Sequence, residues 1–339
     1  MKRQNSKIIL PRLLEGTLLF LLGLGIGLVL QSIFIDDRPW DKGATGGEEL
    51  LPLRQTLGPS CGPTSLAMVA RTWGIPLSEE EAVILARMTS QGTSMLNLLR
   101  AGRLIGLELV GIRLNHDELI KANKPVIAHI PPFHYVVIER ATRQQVTIID
   151  PASGRRRNIP SNQFARMWEG NCLVVIQKQP SPFISSFITD WQIAGPYPLN
   201  KNEPRQNRPS WVLGNNIQWR QRKYHAPSLG IFINLIEQFG RQEGTVAYAQ
   251  TRVYSPVNQA VVFRVGSDDG IQIWLNGRSV WDNLKVERPC QLDQDIIPAV
   301  IISGWNHLLV QIVQAQGEWG FVFRITDAQG RVLDDLKIQ

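Results

Sequence analysis

Apolar residues change their spacing near Gly106, and that change limits the folds open to the chain. Before it they recur at helical intervals. Leu66, Val69, Ala70 and Trp73 share one face after Cys61, and Met95, Leu98, Leu99, Gly102 and Ile105 share another. Gly74 and Gly106 stop these runs, and Pro63 suits a first helical turn. Ser78 with Glu81 forms a capping-box pattern for a helix through Arg87, and Asn115 with Glu118 caps a short fourth one. After Gly106 come short β-branched runs parted by Pro, Gly and charge, at 107–114, 125–130, 134–139, 145–149 and 172–177. Helices first and an antiparallel sheet later predict an α+β domain over residues 50–180.

Ser181-Pro182 marks a boundary, and residues 183–339 read differently. From Thr245 onward the strands are short and alternating, as at 260–265, 271–275, 307–313 and 320–325, with turns at Asn276-Gly277 and Gln329-Gly330. This is an all-β sandwich pattern. Seven of the ten tryptophans lie here, read mainly as core packing, with a few available to stack on sugar rings. Asp268 and Asp269 are suitable calcium donors, but a polar turn is the stronger reading, so no metal or other cofactor is expected. The basic, Asn/Gln-rich stretch 200–225 predicts a long surface loop.

Residues 17–35 contain no charge, and their length matches the ~20 residues that cross a bilayer core as a helix. Lys2, Arg3, Lys7 and Arg12 precede this run, whereas Asp36 and Asp37 follow it. The positive flank predicts a single-pass anchor over 1–36 with its N-terminus in the cytoplasm and everything after it extracytoplasmic. A cleaved signal peptide is the rival, disfavoured because no small-x-small cleavage pattern follows the run. Residues 37–49, rich in Gly and charge, then form a tether.

With 43% apolar and 19% charged residues the chain is of globular type. Its +7 charge is spread over scattered residues and short clusters such as 155–157 and 220–223, which read as solvated surface. No aromatic-plus-basic module points to nucleic acid. Three cysteines do not make a disulfide framework. Cys172 lies in an apolar run and reads as core, and Cys290 follows Pro289 in a loop, with a Cys172–Cys290 bridge as the alternative.

The third cysteine differs. Cys61 sits among Ser, Gly and Pro at the start of a helix, where the partial positive charge favours thiolate. Of the five histidines, His134 opens a strand just after a Pro-Pro-Phe loop, whereas His129 reads as a structural strand residue. Asp150 closes the next strand and is placed either to orient an imidazole or to make a turn. Glu139, further along the strand of His134, is the alternative carboxylate. Gln55, six residues before the thiol, is a candidate oxyanion donor. These are the parts of a cysteine nucleophile.

The runs Gln55…Cys61-Gly-Pro-Thr-Ser-Leu-Ala-Met-Val-Ala, Gly92-Thr-Ser, Ala128-His-Ile, His134-Tyr-Val-Val-Ile, Ile149-Asp-Pro-Ala-Ser-Gly and Phe164…Trp168 resemble the C39 family of papain-like cysteine peptidases. The resemblance covers about residues 50–178. It implies Cys61 as nucleophile, His134 as base and acid, Asp150 as orienting carboxylate and Gln55 in the oxyanion hole, acting on a peptide or protein substrate. Many members trim leader peptides after a Gly-Gly pair and are fused to an exporter. This chain lacks a Gly-x-x-x-x-Gly-Lys-[Ser/Thr] phosphate loop, and its domain is expected outside the cytoplasm. Residues 266–277, 304–310 and 318–323 resemble jelly-roll modules of the PA14 and galactose-binding type, which implies a glycan or protein partner. Two other readings stand beside hydrolysis: an inactive peptide- or glycan-binding scaffold, and an amidase or acyl-transferase acting on cell-wall peptides.

Overall fold

Short-range capping and strand register together set the α+β half. The computed structural model describes residues 47–199, 217–223, 227–284 and 287–339. Helix α1 (Cys61–Thr72) is buried along nearly its whole length and ends before Gly74, whose φ of 68° suits a residue without a side chain. Helices α2 (Glu79–Leu85) and α4 (His116–Lys121) carry both reciprocal bonds of a capping box, from Ser78/Glu81 and Asn115/Glu118. Such a cap is worth about 1 kcal/mol. Helix α3 (Met95–Leu104) begins on Ser94, whose hydroxyl accepts from Asn97 N–H.

Six strands follow: β1 (Leu107–Arg113), β2 (Val126–Ile130), β3 (His134–Ala141), β4 (Gln145–Asp150), β5 (Arg155–Pro160) and β6 (Asn171–Lys178). Helix α5 (Ser161–Met167) joins the last two. They form one antiparallel sheet in the order β1-β6-β2-β3-β4-β5. Helix α1 packs on β3 and β2, and α3 packs on β1. Two of these elements, β5 and α5, lie outside the sequence expectation. Strand β5 is an edge strand with four exposed residues in a row, so it lacks the alternation by which strands are recognised.

The second half is strand-rich, as expected. It contains β7 (Gln192–Pro198), β8 (Arg220–Gln221), β9 (Phe232–Asn234), β10 (Thr245–Ser255), β11 (Gln259–Asp268), β12 (Ile271–Leu275), β13 (Arg278–Asn283), β14 (Asp295–Ile301), β15 (Gly304–Gln314), β16 (Gly320–Thr326) and β17 (Lys337–Ile338). One sheet runs β13-β12-β15-β10-β7-β8 with β17 beside β10, and another runs β14-β11-β16-β9. Side chains of both, among them Ala247, Ile273 and Val310 from the first and Phe263, Phe321 and Phe323 from the second, share one apolar core. Trp191, Trp274 and Trp319 are fully buried, whereas Trp305 remains 45% exposed. Asn276 and Gly277 both take positive φ in the tight turn between β12 and β13.

The two halves are continuous in packing. The core around α1 extends into Phe187, Ile231, Phe232, Leu292 and Val322. Glu81, wholly buried, accepts from Ser228 Oγ at 2.8 Å, Leu229 N–H at 2.9 Å and Ile231 N–H at 3.0 Å.

One expectation changes, and at two other places the favoured reading stands. Arg222, in the stretch read as surface loop, is buried and donates to the carbonyls of Thr189, Gly230 and Phe232, next to a strand at 220–221. Carbonyl acceptors for Nη1 and Nη2 help make that burial tolerable; residues 200–216 and 224–226 lie outside the described residues. Cys172 and Cys290 are free thiols, not a bridge. Asp269 follows β11 at a φ of 56°, and its carboxylate accepts Ala315 N–H at 2.6 Å, so it pins a loop. Among the described residues no helix is long and apolar enough to cross a membrane. The span expected at 17–35, and residues 37–46 of the tether, lie outside them.

Candidate active site

Cys61 is the first residue of α1, so its sulfur lies at the positive end of the helix dipole. Ser60 holds the N-cap position, yet its hydroxyl makes no cap bond to α1. Gly62 is needed for fit: a Cβ there would come within 2.8 Å of Thr93 Cγ2 and 3.1 Å of the Tyr135 ring. The nucleophile candidate is 7% exposed, and its nearest backbone acceptor is Phe133 O at 3.9 Å.

His134 opens β3 and Asp150 closes β4, which places both at the same end of one antiparallel hairpin. His134 Nε2 lies 2.9 Å from Asp150 Oδ1, and that oxygen also accepts Ala152 N–H at 3.0 Å. The turn beyond is closed by the N–H groups of Ser153 and Gly154, both donating to Asp150 O. Gly154 is in the left-handed region, and a Cβ there would stand 2.7 Å from Arg54 Cβ. With Nε2 engaged by Asp150, Nδ1 is the ring nitrogen left for the hydrogen bond between His134 and Cys61.

The electrostatics follow from these contacts. Burial pushes the Cys61 thiol up. The hydrogen bond with His134, backbone hydrogen bonds from Tyr135 and Gly62, and the His134 charge outweigh it, and the thiol lies below its ordinary value. The hydrogen bond with Cys61 raises His134; burial opposes this, while the charges of Asp150 and Cys61 add to it, and the net direction is upward. Each group thus favours the charged form of the other, which is the requirement for a thiolate–imidazolium pair. Burial, with a smaller contribution from the nearby sulfur, pushes the Tyr135 phenol up to about 12.

Gln55 stands in the loop leading to Cys61. Its N–H donates to Pro151 O at 2.8 Å, which ties the loop to the residue after Asp150. Its side-chain Nε2 donates to Gly58 O at 2.6 Å, leaving one amide hydrogen uncommitted, while Oε1 is buried without a partner.

Other candidates are placed elsewhere. Glu139 is held by Arg156 through bonds of 2.6 and 2.8 Å, so it is not the carboxylate facing His134. His129 packs its ring on Tyr135 with centroids 5.1 Å apart, and His116 bonds Thr142 O. His307 lies in β15, and His225 is outside the described residues.

One residue escaped the sequence reading. Glu79, 6% exposed, turns its carboxylate to the 55–60 loop. It accepts Thr56 N–H at 2.8 Å, Thr56 Oγ1–H at 2.8 Å, Leu57 N–H at 3.1 Å and Ser60 Oγ–H at 2.5 Å. In sequence it is the first of three glutamates opening a helix, where acidic residues are ordinary complements to the dipole. Nothing in that pattern marks it as buried.

Known proteins place this half of the chain. The profile of the Peptidase C39 family matches residues 52–180. The Methanothermobacter marburgensis protein "Uncharacterized protein MTBMA_c00490" is 34% identical over 133 residues, which are 39% of this chain and 92% of that one. The "Probable functional amyloid protease FapD" of Pseudomonas aeruginosa is 32% identical over 129 residues, covering 34% of this chain and 56% of that protease. Among solved structures, a double glycine motif protease from an AMS/PCAT transporter, in complex with the leader peptide, is 31% identical. It covers 38% of this chain and 91% of its own, with a TM-score of 0.36. Through residues 52–180, this chain belongs to the peptidase C39 family.

Proposed function

We propose that this chain is a membrane-anchored, extracytoplasmic cysteine peptidase that uses Cys61, His134, Asp150 and Gln55. The Cys61 thiolate attacks a peptide carbonyl carbon, and the carbonyl electron pair moves onto oxygen. A backbone N–H near Cys61 and the Gln55 amide stabilise that oxyanion. As it collapses, the C–N bond breaks and the amine leaves with the proton of the His134 imidazolium. His134, now neutral, takes a proton from water, whose oxygen attacks the thioester and releases the acid. Asp150 holds the ring and favours its charged form.

The observation that carries this reading is the 2.9 Å contact of His134 Nε2 with Asp150 Oδ1, beside a helix that begins on Cys61; the downward shift of the thiol caused by His134 supports it. Incubating the chain with a peptide mixture and identifying new termini tests it. Wild type should create them and Cys61→Ala should not; equal cleavage by both would refute the proposal. Added amine nucleophiles captured in the products would redirect it to acyl transfer.

The membrane placement rests on the uncharged run 17–35 and its flanking charges. Protection of residues beyond 36 from protease added outside intact cells would refute it. The β-rich half is proposed to be of jelly-roll kin and to position substrate or hold a glycan or protein. In support, it carries a cavity of about 520 Å³ whose lining mixes Trp191 and Ile338 with Asp190, Gln250, Arg252 and His307.

A further inference from the structure

We propose that Glu79 is a positioning residue for the oxyanion hole: its buried carboxylate sets the shape of the 55–60 loop, and through it the aim of Gln55 and of the first amides of α1. The inference rests on the peptidase reading above and adds a part to that machinery. Four donor groups of the loop converge on this carboxylate, two of them backbone N–H groups at Thr56 and Leu57. Gly58 and Pro59, in the middle of the loop, carry no polar side chain with which to fix it. Here an acceptor-only group from another helix does so, and an ionised carboxylate suits the task because it brings no hydrogen of its own to clash with the donors.

The bond to Ser60 has a second consequence. An N-cap serine ordinarily accepts from the amides of the first helical turn. Ser60 makes no such bond: its hydroxyl donates to Glu79 and accepts from Thr64 Oγ1, and Pro63, at the third helical position, has no N–H to offer. The N–H of Cys61 itself is thereby left without a side-chain acceptor, available to an oxyanion. At the other end, Gln55 is fixed by its N–H to Pro151 O, one residue beyond Asp150. Glu79 thus completes a loop whose two ends touch the residues proposed for catalysis, without meeting substrate itself.

The experiment compares Glu79→Gln with wild type in the full chain, using a fluorogenic peptide, iodoacetamide and amide hydrogen exchange. Alkylation of Cys61 by iodoacetamide needs the thiolate but no oxyanion hole. The expected result is a fall of at least tenfold in kcat, a KM within twofold and an alkylation rate within twofold, with faster exchange at Thr56 and Leu57. An unchanged kcat, an alkylation rate that falls in step with kcat, or unchanged exchange would overturn the proposal. Should Glu79→Gln not fold, Ser60→Ala deletes the donor next to Cys61. It should lower kcat at least threefold with alkylation preserved, and a wild-type kcat there also overturns the idea. A wild-type chain without turnover refutes the peptidase reading instead, and the exchange comparison still decides whether Glu79 holds the loop.

Discussion

His134 Nε2 and Asp150 Oδ1 lie 2.9 Å apart, joined from the opening of one strand to the close of the next. The bond occupies Nε2, so Nδ1 is the nitrogen left to serve Cys61. Replacing Asp150 by Asn keeps a polar group of the same shape but removes the charge that favours imidazolium. Asp150→Asn should lower kcat at least about 100-fold while the fold persists, measured on a fluorogenic peptide beside a thermal melt. Activity within threefold of wild type would remove Asp150 from the mechanism.

The thiol and imidazole shifts predict a pH profile. Cys61 titrates below the ordinary thiol value and His134 above the ordinary imidazole value. Thiolate reactivity should therefore be present on the acid side of the usual thiol range. In His134→Ala two of the lowering influences vanish while burial remains, so the rise in alkylation rate should move to higher pH. Iodoacetamide rates between about pH 5 and 10 measure this, and superimposable profiles would contradict it.

Glu81 joins the halves, and its loss should be felt as stability. In Glu81→Ala the N–H groups of Ser78, Leu229 and Ile231 and the hydroxyl of Ser228 lose their acceptor. Donors left unpaired in a buried place cost about 1–3 kcal/mol each before relaxation. Denaturant unfolding should show a loss of about 3 kcal/mol or more, whereas a loss under 1 kcal/mol would mean that water reaches these donors.

Asp268 predicts the opposite trend with pH. Burial, and then the adjacent charge of Asp269, raise its carboxyl to about 7. The native state holds this proton more tightly than the unfolded chain, so the contribution is complete below about pH 4 and lost as pH rises to about 7. Asp268→Asn should stabilise the chain at pH 8, by up to about 4 kcal/mol, and have little effect at pH 4. Melts at both values test this; an equal change at the two would contradict it.

What was legible in the sequence was local. Caps at Ser78 and Asn115 lie within three residues of their partners, and both form as read. The C39 signature spans short runs around Cys61, His134 and Asp150, and the sheet brings these runs together. What was not legible depends on distant or patternless partners. Glu79 serves a loop about twenty residues away through backbone N–H groups that any sequence would supply. Arg222 meets only carbonyl oxygens, for the same reason invisible in composition. Strand β5 pairs with β4 alone and turns Arg155, Arg156 and Arg157 to solvent, so charge concealed a strand.

The covalent step is the centre of this account, and acid-quenched intact-mass analysis of the full chain during peptide turnover probes it most directly. The predicted result is an added acyl mass, released by hydroxylamine and mapped to the fragment bearing Cys61, that Cys61→Ala never shows. Steady turnover by Cys61→Ala, or an acyl adduct mapped to another residue, would contradict it.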